Sequence, residues 1–141
     1  MRFVIDAPNG KSWFRLETEG EAAQESLLMR HAVEKYFRLE REKAVQTYQP
    51  VSKSFIEQDI GLKAHLLRAM PLFLTLRDQD GKAHVTAMLP PRGKIEPGAR
   101  FIIVGPGNAD PYPAEGEAIK ALGAHFGLTL ERDRCYPYQR G

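Results

Sequence analysis

A single cysteine, Cys135, stands in the whole chain. It cannot close an internal disulfide, so nothing here argues for an oxidising, secreted setting. Long apolar runs are also missing. The longest are a few residues, far short of the roughly 20 that span a bilayer, and no membrane contact is expected. Met1-Arg2-Phe3-Val4-Ile5-Asp6 lacks the apolar core of a signal peptide, which makes a cytoplasmic location the expectation. Charge of one sign is lacking too: 20 basic and 18 acidic side chains leave a net charge of +2. That balance does not by itself imply nucleic acid. The chain contains no G-x-S-x-G elbow, no H-E-x-x-H pair and no P-loop. Of its histidines, His31, His65, His84 and His125, none sits three or four residues from another. A metal site would need them to converge from distant elements. Neither a metal nor a cofactor is expected, and the chain is read as leaning away from catalysis.

What is there describes one α+β domain over residues 1–141, a modal domain size. Asn9-Gly10 supplies the positive φ angles of a tight hairpin turn between Phe3–Asp6 and Trp13–Glu17. Phe14 and Leu16 are expected to join Phe3 and Ile5 on one buried face. Thr18-Glu19-Gly20-Glu21 fits a capping box and opens a helix expected to run to about Tyr48. Its apolar stripe contains Leu28, Met29, Val33, Tyr36, Phe37 and Leu39. A second helix is expected from Ser54 to Met70, stopped by Pro71 and weakened by Gly61. Asp80-Gly81 then turns a second hairpin between Leu72–Leu76 and Ala83–Leu89. After the Pro97-Gly98 turn, Arg100–Val104 reads as a strand buried on both faces. A helix from Glu115 to Phe126 and a strand over Leu128–Arg132 complete the order ββ-α-α-βββ-α-β. A five- to six-stranded, mostly antiparallel sheet with helices packed on one face satisfies that order.

The loop after Val104 is the most unusual segment. Gly105-Pro106-Gly107-Asn108-Ala109-Asp110 begins like a dinucleotide fingerprint, but Asp110 stands where the third glycine belongs. Pro106 also removes an N–H that a phosphate would use. The loop therefore reads first as a rigid strand-to-helix connection; its functional reading is a stiff ligand- or partner-contacting loop, with Gly105 and Gly107 within it and Asn108, Asp110 and Tyr112 making the contacts. The tail mixes cations and aromatic faces: Arg132, Arg134, Tyr136, Tyr138 and Arg140. That mixture suits a partner protein or nucleobases. Arg132 and Arg134 flank Cys135 and would favour a thiolate, and a nucleophile there would need a base such as His125; a plain free thiol is the stronger expectation.

These features rank three functions. The first is a non-catalytic binding or regulatory module working through a protein partner or as a homo-oligomer. The second is a small-ligand domain or enzyme with its pocket between the 105–113 loop and the helices. The third is a nucleic-acid accessory protein. It would use the Arg/Tyr tail and the middle segment, where Lys53, Lys63, Arg68, Arg77, Lys82, Arg92, Lys94 and Arg100 outnumber five acids.

Overall fold

A computed structural model describes residues 1–51, 54–93 and 99–139. The Pro97-Gly98 turn, Lys53, Lys94 and Arg140 lie outside the described residues.

The first hairpin pairs β1 (Arg2–Ala7) with β2 (Lys11–Arg15). Asn9 and Gly10 both have positive φ, 65° and 71°, as the tight turn requires. A bulge lies between Phe3 and Ile5, so that Phe3 opposes Phe14 while Ile5 opposes Trp13. An extra residue on one strand reverses the alternation of its side chains. The expected common face of Phe3, Ile5, Phe14 and Leu16 is therefore split. Trp13 is the fully buried residue, whereas Phe3 is 54% exposed and meets Phe14 edge-on at 6.0 Å.

The expected long helix is two helices, α1 (Glu19–Met29) and α2 (Val33–Gln46). The capping box forms: the Thr18 hydroxyl accepts from the Glu21 N–H, and the Glu21 carboxylate accepts from the Thr18 N–H. Arg30 then turns left-handed at φ 54° and ends α1. The Glu34 N–H at the start of α2 donates to the Ser26 hydroxyl, 2.9 Å away. A side chain of the first helix thus caps the second, which fixes the corner between them. Of the apolar stripe, Met29, Val33 and Phe37 are buried, while Leu28, Tyr36 and Leu39 remain largely exposed. The next helix, α3 (Phe55–Ala69), passes through Gly61 without a break. A Cβ there would collide with the Tyr48 hydroxyl, so the glycine lets the end of α2 approach closely.

The second hairpin supplies β3 (Leu72–Arg77) and β4 (Ala83–Leu89), and β5 (Ile102–Val104) follows. The sheet is five-stranded in sequential order, every pair antiparallel. Every residue of β3 is buried, so both of its faces are covered. On one face α4 (Tyr112–Phe126) packs Ile119 and Leu122 against Trp13, Leu74, Val85 and Ile103. On the other, Ala22, Val33 and Phe37 of α1 and α2 meet Leu16 and Phe73, with Leu66 of α3 at the margin. The class is α+β as expected, but the helices divide between the two faces. One layer would have left Leu72, Leu74 and Leu76, or else Phe73, in water.

The last expected strand is not formed. Residues 128–131 are irregular and lead into a 3-10 turn over Arg132–Arg134. Leu130 is buried beneath α4. Tyr136 takes the place beside β5, bridging Ile102 in parallel. Among the described residues no helix is long and apolar enough to cross a membrane.

A candidate ligand pocket under the α1–α2 corner

The loop after β5 and the C-terminal tail, singled out separately in the sequence, converge largely on each other. Asp110 uses one carboxylate oxygen to accept from the Tyr112 N–H (3.0 Å) and the other to accept from the Arg132 guanidinium (2.7 Å). Arg132 lies over the Tyr138 ring, 4.6 Å from its centroid. The Tyr138 hydroxyl donates to the Ala109 carbonyl (3.2 Å), and the Tyr112 hydroxyl donates to the Leu130 carbonyl (2.8 Å). Desolvation pushes the Asp110 carboxyl up, but the Tyr112 N–H and Arg132 outweigh it and hold the group below the ordinary range. Asp110, Tyr112, Arg132 and Tyr138 thus form a latch that holds the tail down. Gly105 permits its tight start, since a Cβ there would lie 3.0 Å from the Ala109 carbonyl. Gly107 takes the left-handed conformation the turn needs, at φ 63°. Arg134 is exposed and makes no ion pair among the described residues.

Asn108 and Tyr136 have a different role. They stand at the rim of a pocket of about 410 Å³ between the α1–α2 corner and the outer half of the sheet. Phe73, Met88, Ile102 and Val104 form its apolar floor, and His31, Val33 and Tyr36 form the wall on the helix side. Arg100 reaches the rim, its guanidinium 5.4 Å from the Tyr136 ring centroid. No carboxylate pairs with Arg100 among the described residues.

Behind the wall runs a buried polar chain. The Arg77 guanidinium donates to one oxygen of Glu25 (2.7 Å), and the Thr86 hydroxyl donates to the other. His31 Nε2 lies 2.8 Å from the Thr86 oxygen, and the Val33 N–H faces His31 Nδ1 at 3.4 Å. Thr86 spends its proton on Glu25, so His31 must donate through Nε2 and accept through Nδ1. That fixes the neutral tautomer. No buried side-chain polar atom is left unsatisfied among the described residues. The chain ties α1 and the corner to β3 and β4. It also occupies both nitrogens of His31, so the histidine shapes the pocket and holds no free lone pair for a substrate. Sequence reasoning passed over Glu25 and Thr86, and it named His31 only among the scattered histidines and Arg100 only in the basic middle segment. One signal was available: Glu25 falls at helical spacing between Ala22 and Met29, on the buried side of α1.

Burial pushes the His31 pKa below its ordinary value, and the Glu25 charge draws it back only in part. A histidine whose folded pKa is depressed stabilises the fold above its unfolded pKa, about 6.5. That stability is lost as pH falls from there toward the folded pKa. The melting temperature should therefore drop as pH falls below about 6.5, the unfolded value. His31→Gln should flatten that drop in pH-resolved thermal melts; an unchanged slope would refute the assignment.

Cys135 is fully buried. Burial pushes its thiol up, with the Tyr112 hydroxyl pulling the other way and Asp133 adding to the rise. Arg132 and Arg134 do not depress it, because both lie on the exposed surface. His125 lies at the far end of α4 from Tyr112, about 20 Å away at 1.5 Å per helical residue. The two do not share a site. His65 contacts Thr47 and the Ala44 carbonyl, and His84 contacts Asp78. Among the described residues no group of three potential metal ligands exists. No family model, curated protein or solved structure gives a significant match to the chain.

Proposed function

We propose that the chain is a non-catalytic binding module that takes a small amphipathic anion in the pocket under the α1–α2 corner. The carrying observation is the division of that pocket: an apolar floor, satisfied polar groups in its wall, and two lining polar side chains, Asn108 and Arg100, of which Arg100 stacks on Tyr136 and has no ion pair among the described residues. Small-ligand sites share this pattern of apolar lining and few polar anchors. The ligand body rests on Met88, Ile102 and Val104, and its carboxylate meets Arg100. The neutral His31 and the buried Cys135 thiol favour binding over chemistry. A buried, reduced thiol also suits a cytoplasmic setting.

Benzoate, cinnamate and indole-3-acetate serve as probes. At least one should raise the melting temperature, and Arg100→Ala should weaken its affinity by about tenfold or more, the scale of a lost charge-assisted hydrogen bond. The reading fails if no probe stabilises the protein, or if Arg100→Ala and a pocket-filling Met88→Trp both bind unchanged.

A second reading rests on α3. Phe55, Ile56 and Ile60 are 90%, 73% and 62% exposed, side by side on its first turns. Apolar residues grouped in this way mark contact surfaces. Asp59 and Lys63, paired on the same helix at 3.0 Å, give that face both charges, so it suits a second copy of the chain. Light scattering should show a dimer that Ile56→Glu converts to monomer. A wild-type monomer at all concentrations would exclude it.

A further inference from the structure

The opposite end of the sheet carries a second feature, independent of the pocket. Where β1 begins and β2 ends, Arg2 and Arg15 are cross-strand partners. Like charges directly opposed in a sheet are destabilising. Arg2 finds Glu17 at 3.2 Å, but Arg15 has no ion pair among the described residues. Burial lowers the Arg15 pKa, with Glu17 opposing and Arg2 reinforcing the effect. Arg15 is thus a cation partly removed from water, and the Glu17 charge offsets only part of that cost.

Two more guanidinium groups converge here. Arg68 from the last turn of α3 and Arg92 from the segment after β4 line the same groove as Arg2 and Arg15, about 570 Å³ in volume. No aspartate or glutamate is among its described lining residues. It continues past Arg2, Arg15 and Leu67 into a second depression of about 650 Å³, which adds Arg41 and Lys63 together with two carboxylates, Glu17 and Glu19, so the uncompensated cations belong to the first groove. Aromatic faces are interleaved with the cations. Phe3 is 54% exposed, and Arg92 stacks on Phe126 with 5.4 Å to the ring centroid.

We propose that this groove binds single-stranded nucleic acid, the guanidinium groups taking successive phosphates and the exposed Phe3 ring stacking on a base. Cations in a row with aromatic platforms between them are the shared chemistry of single-strand binding surfaces. A free phosphate or pyrophosphate would use the arginines and leave the exposed Phe3 ring without a role. Two joined depressions also exceed what such an anion fills. The C-terminal tail takes no part, because Arg132 is held by Asp110 and Tyr138. Arg77 takes none either, because it is buried against Glu25. The basic middle segment contributes through Arg68 and Arg92, because Lys63 is paired with Asp59.

The test is fluorescence anisotropy with labelled twelve-nucleotide oligo(dT), the matching oligo(U), and a duplex of equal length. One single strand should bind better than the duplex. With about four phosphates neutralised, raising salt from 50 to 200 mM should weaken binding by about 50-fold. Arg68→Glu/Arg92→Glu changes two exposed residues and should weaken binding at least tenfold. Lys35→Glu/Lys120→Glu, the same charge change outside the groove, should leave binding within about twofold. Phe3→Ala should weaken oligonucleotide binding several-fold while leaving competition by pyrophosphate unchanged. The proposal is overturned by no binding at 50 mM salt, by equal losses in the two charge-reversed variants, by preference for the duplex, or by no effect of Phe3→Ala. Comparing oligo(U) with oligo(dT) separates RNA from DNA.

Discussion

Arg77→Met should remove about 3–5 kcal/mol of folding stability, the cost of leaving one member of a buried ion pair without its partner. Glu25 is fully buried, and Arg77 is the cation in contact with it, at 2.7 Å. Without the guanidinium, the carboxylate keeps only the Thr86 hydroxyl, and Thr75 loses its contact with Arg77 Nε at 2.9 Å. Glu25→Gln should cost less, since the amide oxygen still accepts from Arg77. The double replacement Glu25→Leu/Arg77→Met should recover much of the loss, because two apolar side chains carry no desolvation penalty. Urea unfolding measures all three. A single Arg77→Met change within about 1 kcal/mol of wild type would show that the pair does not hold α1 to the sheet. The same variant should loosen the pocket wall, because His31 reaches Glu25 only through Thr86.

Trp13→Ala should cost a similar amount, about 3–5 kcal/mol, and the source is different. Trp13 is the largest fully buried side chain. It packs on Leu74 and Val85 beneath α4, and its indole N–H donates to the Ala118 carbonyl at 2.9 Å. Truncation opens a cavity between sheet and helix. Trp13→Phe keeps most of the volume and loses the hydrogen bond, so it should lie between alanine and wild type. Thermal melts separate the two contributions. Equal losses for Phe and Ala would assign the effect to the hydrogen bond alone.

The hairpins were legible because their signals are local. Asn9-Gly10 and Asp80-Gly81 set the backbone angles of the turns themselves, and Gly81 has φ 82°. The break between α1 and α2 was not legible. Arg30 turns left-handed without glycine, and the cap of α2 is Ser26, eight residues before Glu34 in sequence. The expected strand over Leu128–Arg132 failed for a long-range reason. Leu130 is drawn under α4, and Tyr136 takes the place beside β5. The site divides in the same way. Composition singled out the loop and the tail, and they do meet. It did not show that Asp110 and Arg132 satisfy one another, nor that Asn108 and Tyr136 turn away to a pocket. Arg100 and His31 reach that pocket from strands of chain far apart, and no window of sequence contains both.

The sequential strand order has a kinetic consequence. The β1–β2 and β3–β4 hairpins each close over a few residues, but β2 and β3 are joined through residues 16–71, which hold three helices. One seam, Trp13 against Leu76 and Phe14 against Thr75, therefore carries the largest single loop-closure cost of the sheet. Closing it is the step we expect to limit folding, because distant contacts must form before they are rewarded. Substitutions along that seam should slow refolding, and substitutions within either hairpin should chiefly speed unfolding.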